Sequence, residues 1–367
     1  MVSKKNWGNR PWRVDFRPQP HQQLPVVDFA VIGAGFSGLA AATRLKILSP
    51  AESVVVLEAE SIGAGASGHT GGVALAETAA GDLPGLGDVL SGYQEFIGEL
   101  KLNTDLHLPG CYELARTNPL PDPPFCWDDS GPLCATKEVP GGTIDPGKTV
   151  SELARAAEQS GVWILENSVV TSANFDNPTQ IELRTPVGSL VARRVLFATN
   201  AFALELTGIP GHPAFTTAVL TEVLPDDILG HIGVADRKPF YTVDLPYLWG
   251  RLYGNAIMFG SGLLFFEDWR DLCTLDIEAG DAPEVFQRLE DRVHKLHPAL
   301  ANVKFTHRWG GPICISDDWK PVFCRHPRSE NALVLGAFSG HGVAQSVYLG
   351  IWAADVLLDR RALPDWK

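Results

Sequence analysis

Residues 28–58 read DFAVIGAGFSGLAAATRLKILSPAESVVVLE, a stretch that commits the chain to a βαβ unit able to grip a dinucleotide. An apolar strand, Phe29 to Ile32, runs into Gly33-Ala34-Gly35-Phe36-Ser37-Gly38. A helix follows, a second strand spans Val54 to Leu57, and Glu58 stands twenty residues after Gly38. Gly33 lets the chain turn sharply out of the strand, Gly35 lets the backbone approach a pyrophosphate, and Gly38 lets the helix pack tightly on the sheet. The helix start offers free N–H groups and partial positive charge to phosphates. Glu58 can accept hydrogen bonds from a ribose diol and would repel a 2′-phosphate, which disfavours NADP.

Bulk properties narrow the rest. The 367 residues suffice for one large or two medium domains, and a formal charge of -13 with no basic run argues against nucleic-acid or anionic-membrane partners. The polar, proline-bearing start lacks the apolar core of a secretory signal. The most apolar window, residues 26–45, belongs to the nucleotide unit, so no membrane span and a cytoplasmic location are expected. Cys111, Cys126, Cys134, Cys273, Cys314 and Cys324 form no CxxC pair and no metal-ligand cluster with histidines. Reduced, structural cysteines and no metal site are therefore expected.

Apolar spacing predicts a helix over 82–100, using Leu86, Leu90, Tyr93, Phe96, Ile97 and Leu100. Asp145-Pro146 reads as an N-cap and first helical residue, with Gly161 as the stop and a strand over 162–166. Another helix is predicted over 283–296. Residues 118–132 (NPLPDPPFCWDDSGP) predict an irregular excursion that could cover a pocket. Between about 211 and 270, short apolar runs alternate with turn residues, as in an antiparallel sheet.

Two further stretches are dense in small residues. Gly63 to Gly72 (GAGASGHTGG) would let a flat group approach the backbone closely, although a plain flexible loop has similar composition. Val334-Leu335-Gly336-Ala337-Phe338-Ser339-Gly340-His341-Gly342 opens a helix with Val343, Val347, Ile351, Ala354 and Leu358 on its buried side. Its N-terminus would stabilise an anion, such as the charged edge of a reduced flavin.

Four blocks together resemble the FAD-dependent D-amino acid oxidase superfamily, which includes glycine oxidases, sarcosine oxidases and γ-glutamylputrescine oxidoreductases. They are GAGFSG with Glu58; GAGASGHTGG; residues 141–162 with VLFATNA at 195–201; and RWGGP at 308–312 through AFSGHGVAQS at 337–346. The N-terminal tryptophans and the GASGxxGG and WGGP blocks bring it nearest to the putrescine-type branch.

The resemblance implies an α/β fold, a Rossmann-like FAD-binding domain (1–78, 142–210, 306–367) interleaved with an antiparallel-sheet α+β substrate domain (79–141, 211–305). FAD would lie extended, its pyrophosphate on Gly33, Gly35, Phe36, Ser37 and Gly38, its ribose on Glu58 and Ala59, and its adenine near Val169 and Val170. Ala66, Ser67, His69, Thr70, Gly71 and Gly72 would face the flavin from one side. Gly336, Ser339, Gly340, His341, Gly342, Val343 and Ala344 would face it from the other, with Thr199 and Asn200 completing the site. The activity implied is oxidation of a C–N bond of an amine, with hydride passing to the flavin and the imine hydrolysing. Most of the work would be positioning.

The departures bear on the substrate. The basic residues that clamp a carboxylate in N-methyl amino acid oxidases correspond to Gly72 and Ala344, and the arginine of glycine and D-amino acid oxidases falls near Pro312. Loss of all three disfavours a simple α-amino acid. Tyr247 and Trp249 are candidates to wall an amine pocket, Arg251 to meet a distal carboxylate, and Trp309 and His341 to stand at the flavin. The alternative for Arg251 is a surface cap, and for the aromatics plain core. His69 is a candidate for covalent attachment to FAD, against a polar loop residue near the cofactor. The cysteine that attaches flavin in monomeric sarcosine oxidases has no clear counterpart, Cys314 being nearest. Leu264 stands where sarcosine oxidases place an oxygen-activating lysine, so the acceptor could be oxygen or another carrier. Two other readings remain: a flavin subunit of a larger complex, and an NAD(P)H-dependent hydroxylase.

Overall fold

The computed structural model describes residues 5–22 and 24–366, so the first four residues of the expected cofactor domain lie outside the described residues. The strands, in chain order, are β1 (Val26–Ile32), β2 (Val54–Leu57), β3 (Val73–Leu75), β4 (Cys111–Ala115), β5 (Cys126–Asp128), β6 (Pro132–Val139), β7 (Gly141–Thr143), β8 (Trp163–Leu165) and β9 (Ser172–Asn174). They continue with β10 (Ile181–Thr185), β11 (Gly188–Phe197), β12 (His212–Thr221), β13 (Phe240–Thr242), β14 (Trp249–Tyr253), β15 (Ala256–Phe265), β16 (Phe305–Ile315), β17 (Val322–His326) and β18 (Ser329–Gly336). The main helices are α1 (Phe36–Leu48), α2 (Ala66–His69), α3 (Val89–Glu99), α4 (Pro146–Gln159), α5 (Leu204–Thr207), α6 (Asp226–Ile232), α7 (Ala282–Leu296) and α8 (Gly342–Leu357).

One sheet has the order β17-β18-β11-β1-β2-β8, with β10 and β9 leading off β11. From β18 to β8 the neighbours are parallel. Strand β1 runs up the middle with β2 on one side and β11 on the other, so the crevice beyond Ile32 is where the chain's crossovers part. Strand β1 is buried on both faces along most of its length, as expected of a parallel strand covered by helices. Helix α1 packs between α4 and α8 and buries nearly its whole circumference, because small Ala40, Ala41 and Ala42 let neighbours close in.

The second sheet has the order β16-β12-β15-β14-β13-β4-β6-β5. It is antiparallel except where β13 meets β4. The middle of the chain is thus the antiparallel sheet its alternation predicts. A two-stranded piece, β3 with β7, lies between the larger sheets in sequence.

Several expectations change. The structure places β16, assigned from sequence to the cofactor part, at the edge of the second sheet along β12. Helix α3 starts at Val89, with Asp88 accepting the Ser91 N–H at 2.9 Å, rather than near residue 82. Gly85 and Gly87 both hold positive φ and delay the start, while Leu86 joins the core from outside the helix. Asp145 caps α4 as predicted, accepting from Lys148 N–H at 2.8 Å. Cys126 and Cys134 are joined in a disulfide, which corrects the expectation that all six cysteines stay reduced. The two lie directly opposite on antiparallel β5 and β6, Cα to Cα 4.1 Å, a proximity that spacing alone does not reveal. Among the described residues no helix is long and apolar enough to cross a membrane.

Candidate active site

A cavity of about 1230 Å³ is lined by residues from both large sheets. At one end stand Gly33, Gly35, Phe36 and Ser37 from the first turn, then Glu58 and Ala59, Val169 and Val170, and Thr199 and Asn200. Gly38 is beneath this surface, against Val31 and the Gly33 carbonyl. Gly33 holds φ +105°, and a Cβ there would stand 2.7 Å from the Ala198 carbonyl oxygen. Only glycine can make this turn beside β11.

Glu58 is fixed by its own loop. One carboxylate oxygen accepts the Ala34 N–H at 2.8 Å and the other the Glu60 N–H at 2.9 Å. Burial pushes its pKa up, opposed by those two amide bonds. A carboxylate offers about four acceptor positions, so room remains for two hydroxyl donors. Thr199 lines the same space, and its Oγ1 is buried with no partner among the described residues. Helix α1 has Gly35 at its cap with no side-chain cap bond, and apart from the Phe36 N–H, which Ser67 Oγ accepts, its opening turn is left to an external anion. These features fit the pyrophosphate and ribose of FAD.

The second glycine-rich loop contributes Ala66, Ser67, His69, Thr70 and Gly71 to the cavity, whereas Gly72 faces away, its carbonyl accepting the Ile144 N–H. Ser67 Oγ accepts the Phe36 N–H at 2.9 Å, tying this loop to the first. His69 has both ring nitrogens engaged. Nδ1 lies 2.9 Å from the Gly65 carbonyl, and Arg10 Nη1 lies 3.0 Å from Nδ1 and 2.9 Å from Nε2. Since a carbonyl only accepts, Nδ1 carries the proton, which leaves Nε2 to accept from Arg10. Burial, with the Arg10 charge, pushes the His69 pKa down to about 3, so the ring is neutral.

The loop is gripped from behind by a strap at the start of the chain. Trp12 Nε1 donates to the Gly68 carbonyl at 2.8 Å, and the Trp7 ring meets His69 edge-on at 5.1 Å. The strap itself extends the edge of β16, where Asn9 N–H donates to the Arg308 carbonyl and Gly310 N–H to that of Trp7. Sequence reasoning missed Arg10 and gave the tryptophans no role. Only their position ahead of β1 hinted that something must cover the loop.

On the third stretch, Ser339, Gly340, His341, Gly342 and Val343 line the cavity at the start of α8. Gly336 and Ala344 do not. Gly336 lies close against Asn200, whose Oδ1 accepts the Ala337 N–H at 3.0 Å. Asn200, Ala337 and Ser339 all hold left-handed backbone, φ 50°, a concentration of strain usual at binding sites. His341 caps α8, its Nδ1 3.4 Å from the Ser339 carbonyl, and burial lowers its pKa.

The other end of the cavity is a transverse row of the second sheet. Register aligns Glu113, Tyr241, Trp249, Gly260, Ala218 and Trp309 across six strands. All but Gly260 line the cavity, and the Trp249 indole lies over Gly260 and against Gly71. Trp309 is fully buried and its Nε1 donates to the His69 carbonyl at 3.1 Å. Tyr247 also lines the cavity. Its hydroxyl donates to the Gly262 carbonyl at 2.7 Å and pairs with Thr216 Oγ1 at 2.5 Å, and burial pushes its pKa up.

Arg251 does not reach this space. It is buried behind the loop, Nε donating to the Gly71 carbonyl at 2.5 Å and Nη2 left without a partner. Burial lowers its pKa to about 10, so it remains charged. Cys314 lines the cavity as a thiol, its pKa pushed up to about 12 by burial. Residues 118–132 contribute nothing to the cavity wall, contrary to expectation, because Asp129 is drawn to Arg116 and Arg292. Glu77, Glu113 and Tyr241 are cavity residues that sequence reasoning passed over.

A family described as FAD dependent oxidoreductase matches residues 28–130 and 124–356. The chain is 26% identical to gamma-glutamylputrescine oxidoreductase of Escherichia coli, over 90% of this chain and 83% of that protein. It is 22% identical to rat mitochondrial dimethylglycine dehydrogenase, over 93% of this chain but 44% of that protein. Among solved structures it resembles L-proline dehydrogenase from P. horikoshii, TM-score 0.74 at 20% identity, covering 92% of this chain and 95% of that one. Glycine oxidase from Geobacillus kaustophilus gives TM-score 0.71 at 17% identity, covering 92% and 96%.

Proposed function

Since the chain belongs to the FAD-dependent oxidoreductase family, we propose that it oxidises the C–N bond of a primary or secondary amine to an imine, which water then hydrolyses. FAD, when bound, supplies the hydride acceptor. The observation that carries the amine reading is the chemistry of the far wall. Tyr241, Tyr247, Trp249 and Trp309 line it, and the only lysine and arginine lining the cavity among the described residues, Lys5 and Arg270, are paired with Glu60 and Glu205. Arg251 is turned away. No basic group is left to clamp an α-carboxylate, so an amine fits better than a simple α-amino acid.

The chain's own residues then have distinct tasks. Glu58 would accept from the ribose of FAD, and the opening turn of α1 would hold its pyrophosphate. The start of α8 would supply the positive helix end for the flavin. Trp249 and Trp309 orient the substrate and exclude water. His341, kept neutral by burial, offers Nε2 as a hydrogen-bond acceptor to the N–H of the neutral amine, because Nδ1 faces the Ser339 carbonyl. With both nitrogens of His69 occupied, FAD would be held without a covalent bond, and acid precipitation should release all of it. Leu263 lines the cavity beside Leu264 with no lysine there, which favours an acceptor other than oxygen.

The test is anaerobic mixing of the yellow protein with a panel of primary and secondary amines, followed by oxygen-uptake assays. Bleaching by an amine is expected. Bleaching by NAD(P)H alone would replace this reading with hydroxylation, and bleaching by neither would leave an electron-transfer subunit.

A further inference from the structure

The acids at the end of the aromatic row have no task in that reaction. Glu113 and Tyr241 are neighbours in register on β4 and β13, and Glu77 follows β3. The Tyr241 hydroxyl donates to the Glu77 carboxylate and lies 3.5 Å from Glu113 Oε2. All three line the cavity.

Two carboxylates in a partly enclosed space repel each other, and a cation set between them relieves that repulsion. Among the described residues no basic side chain comes within ion-pair distance of Glu77. Glu113 has only Lys137, 3.8 Å away, outside the cavity and 60% exposed. An independent sign of a missing ligand is Ser346, which lines the same cavity with its hydroxyl buried and without a partner among the described residues. It adjoins Gln345, whose side-chain amide donates to the Glu77 carbonyl, so this part of α8 closes on Glu77. An ammonium has three donors and no acceptor, matching a site of carboxylate and hydroxyl oxygens walled by Tyr241 and Trp249.

We infer that Glu77, Glu113 and Tyr241 form a subsite for a second, non-reacting ammonium, so that the substrate is a diamine or polyamine. The inference rests on the amine reading above. The reacting nitrogen must be unprotonated to release hydride from its neighbouring carbon, and a carboxylate partner would keep it protonated. The acids therefore serve the other end of the molecule. The net charge of -13 draws dications toward the protein as a whole.

Calorimetric titration of the holoenzyme, reduced with dithionite so that no hydride can leave the ligand, compares 1,6-diaminohexane with hexylamine. The diamine is expected to bind at least about tenfold more tightly. The Glu77→Gln/Glu113→Gln double variant should bring the two within about twofold, with flavin content unchanged. If the double variant loses flavin, Glu113→Gln alone should still narrow the gap. Equal binding to the native protein, or a preference that survives these variants, overturns the subsite. The oxidised enzyme separates the two claims: bleaching by hexylamine with equal binding removes only the subsite. A diamine preference without bleaching by either amine removes only the oxidation reading.

Discussion

The two ends of the cavity are built on opposite plans. At the nucleotide end the contacts come from backbone: the turn at Gly33, the opening of α1, and a carboxylate held by two amide N–H groups. At the far end they come from side chains in one row across an antiparallel sheet. A backbone site tolerates few substitutions where the chain itself must pass close to another element. A side-chain site can be rewritten one residue at a time without disturbing its strands, which lets one cofactor fold serve many substrates.

That contrast can be broken by substitution. The largest effect is expected of Gly33→Val, which sets a branched residue at φ +105° against the Ala198 carbonyl. A loss of at least about 3 kcal/mol is expected, and the protein should be colourless or insoluble. A stable yellow variant would show that the turn is not essential. Glu58→Gln comes next, weakening FAD by about tenfold to a hundredfold in equilibrium dialysis, while a row substitution such as Trp249→Phe should change KM for the amine and leave FAD affinity within about twofold. If Trp249→Phe instead costs as much flavin as Glu58→Gln, the division between the two ends fails.

Arg251→Met should fall between these. It removes the donor to Gly71 but leaves every cavity side chain in place, so FAD affinity should drop about tenfold with no change in the ranking of amines. A changed ranking would return Arg251 to the substrate. A separate effect concerns acid stability. His69 titrates near 3 in the folded chain against an ordinary value of 6.5, so the unfolded state takes up its proton first as pH falls. Stability should decline from about pH 6.5 toward 3, and His69→Gln should flatten that limb in melting curves recorded across the window. An unchanged slope would mean that the ring is hydrated rather than buried.

The same division explains what the sequence made legible. The first glycine turn, Glu58 and the antiparallel middle follow local rules of spacing and composition, and the structure contains them. Glu58's position depends only on a strand, a helix and a strand of ordinary length. Glu77 and Glu113 are 36 residues apart and meet only through Tyr241 on a third strand, so no window of sequence shows them. Arg251 illustrates the converse error. It adjoins the predicted aromatic wall, but the approach of Gly71 determines where its guanidinium goes. The pairing of Cys126 with Cys134 likewise follows from strand register, which cysteine spacing cannot supply.

The strap around Trp7, Arg10 and Trp12 has a consequence for how the molecule is made. During synthesis these residues leave the ribosome some 300 residues ahead of their partners at Arg308, Trp309 and Gly310. Until those partners emerge the loop over residues 63–72 has no backing, and the newborn chain can shape its first glycine turn but cannot finish the pocket's rear wall. A polypeptide cut short before β16 would therefore keep the glycine motif while lacking what holds its second loop in place.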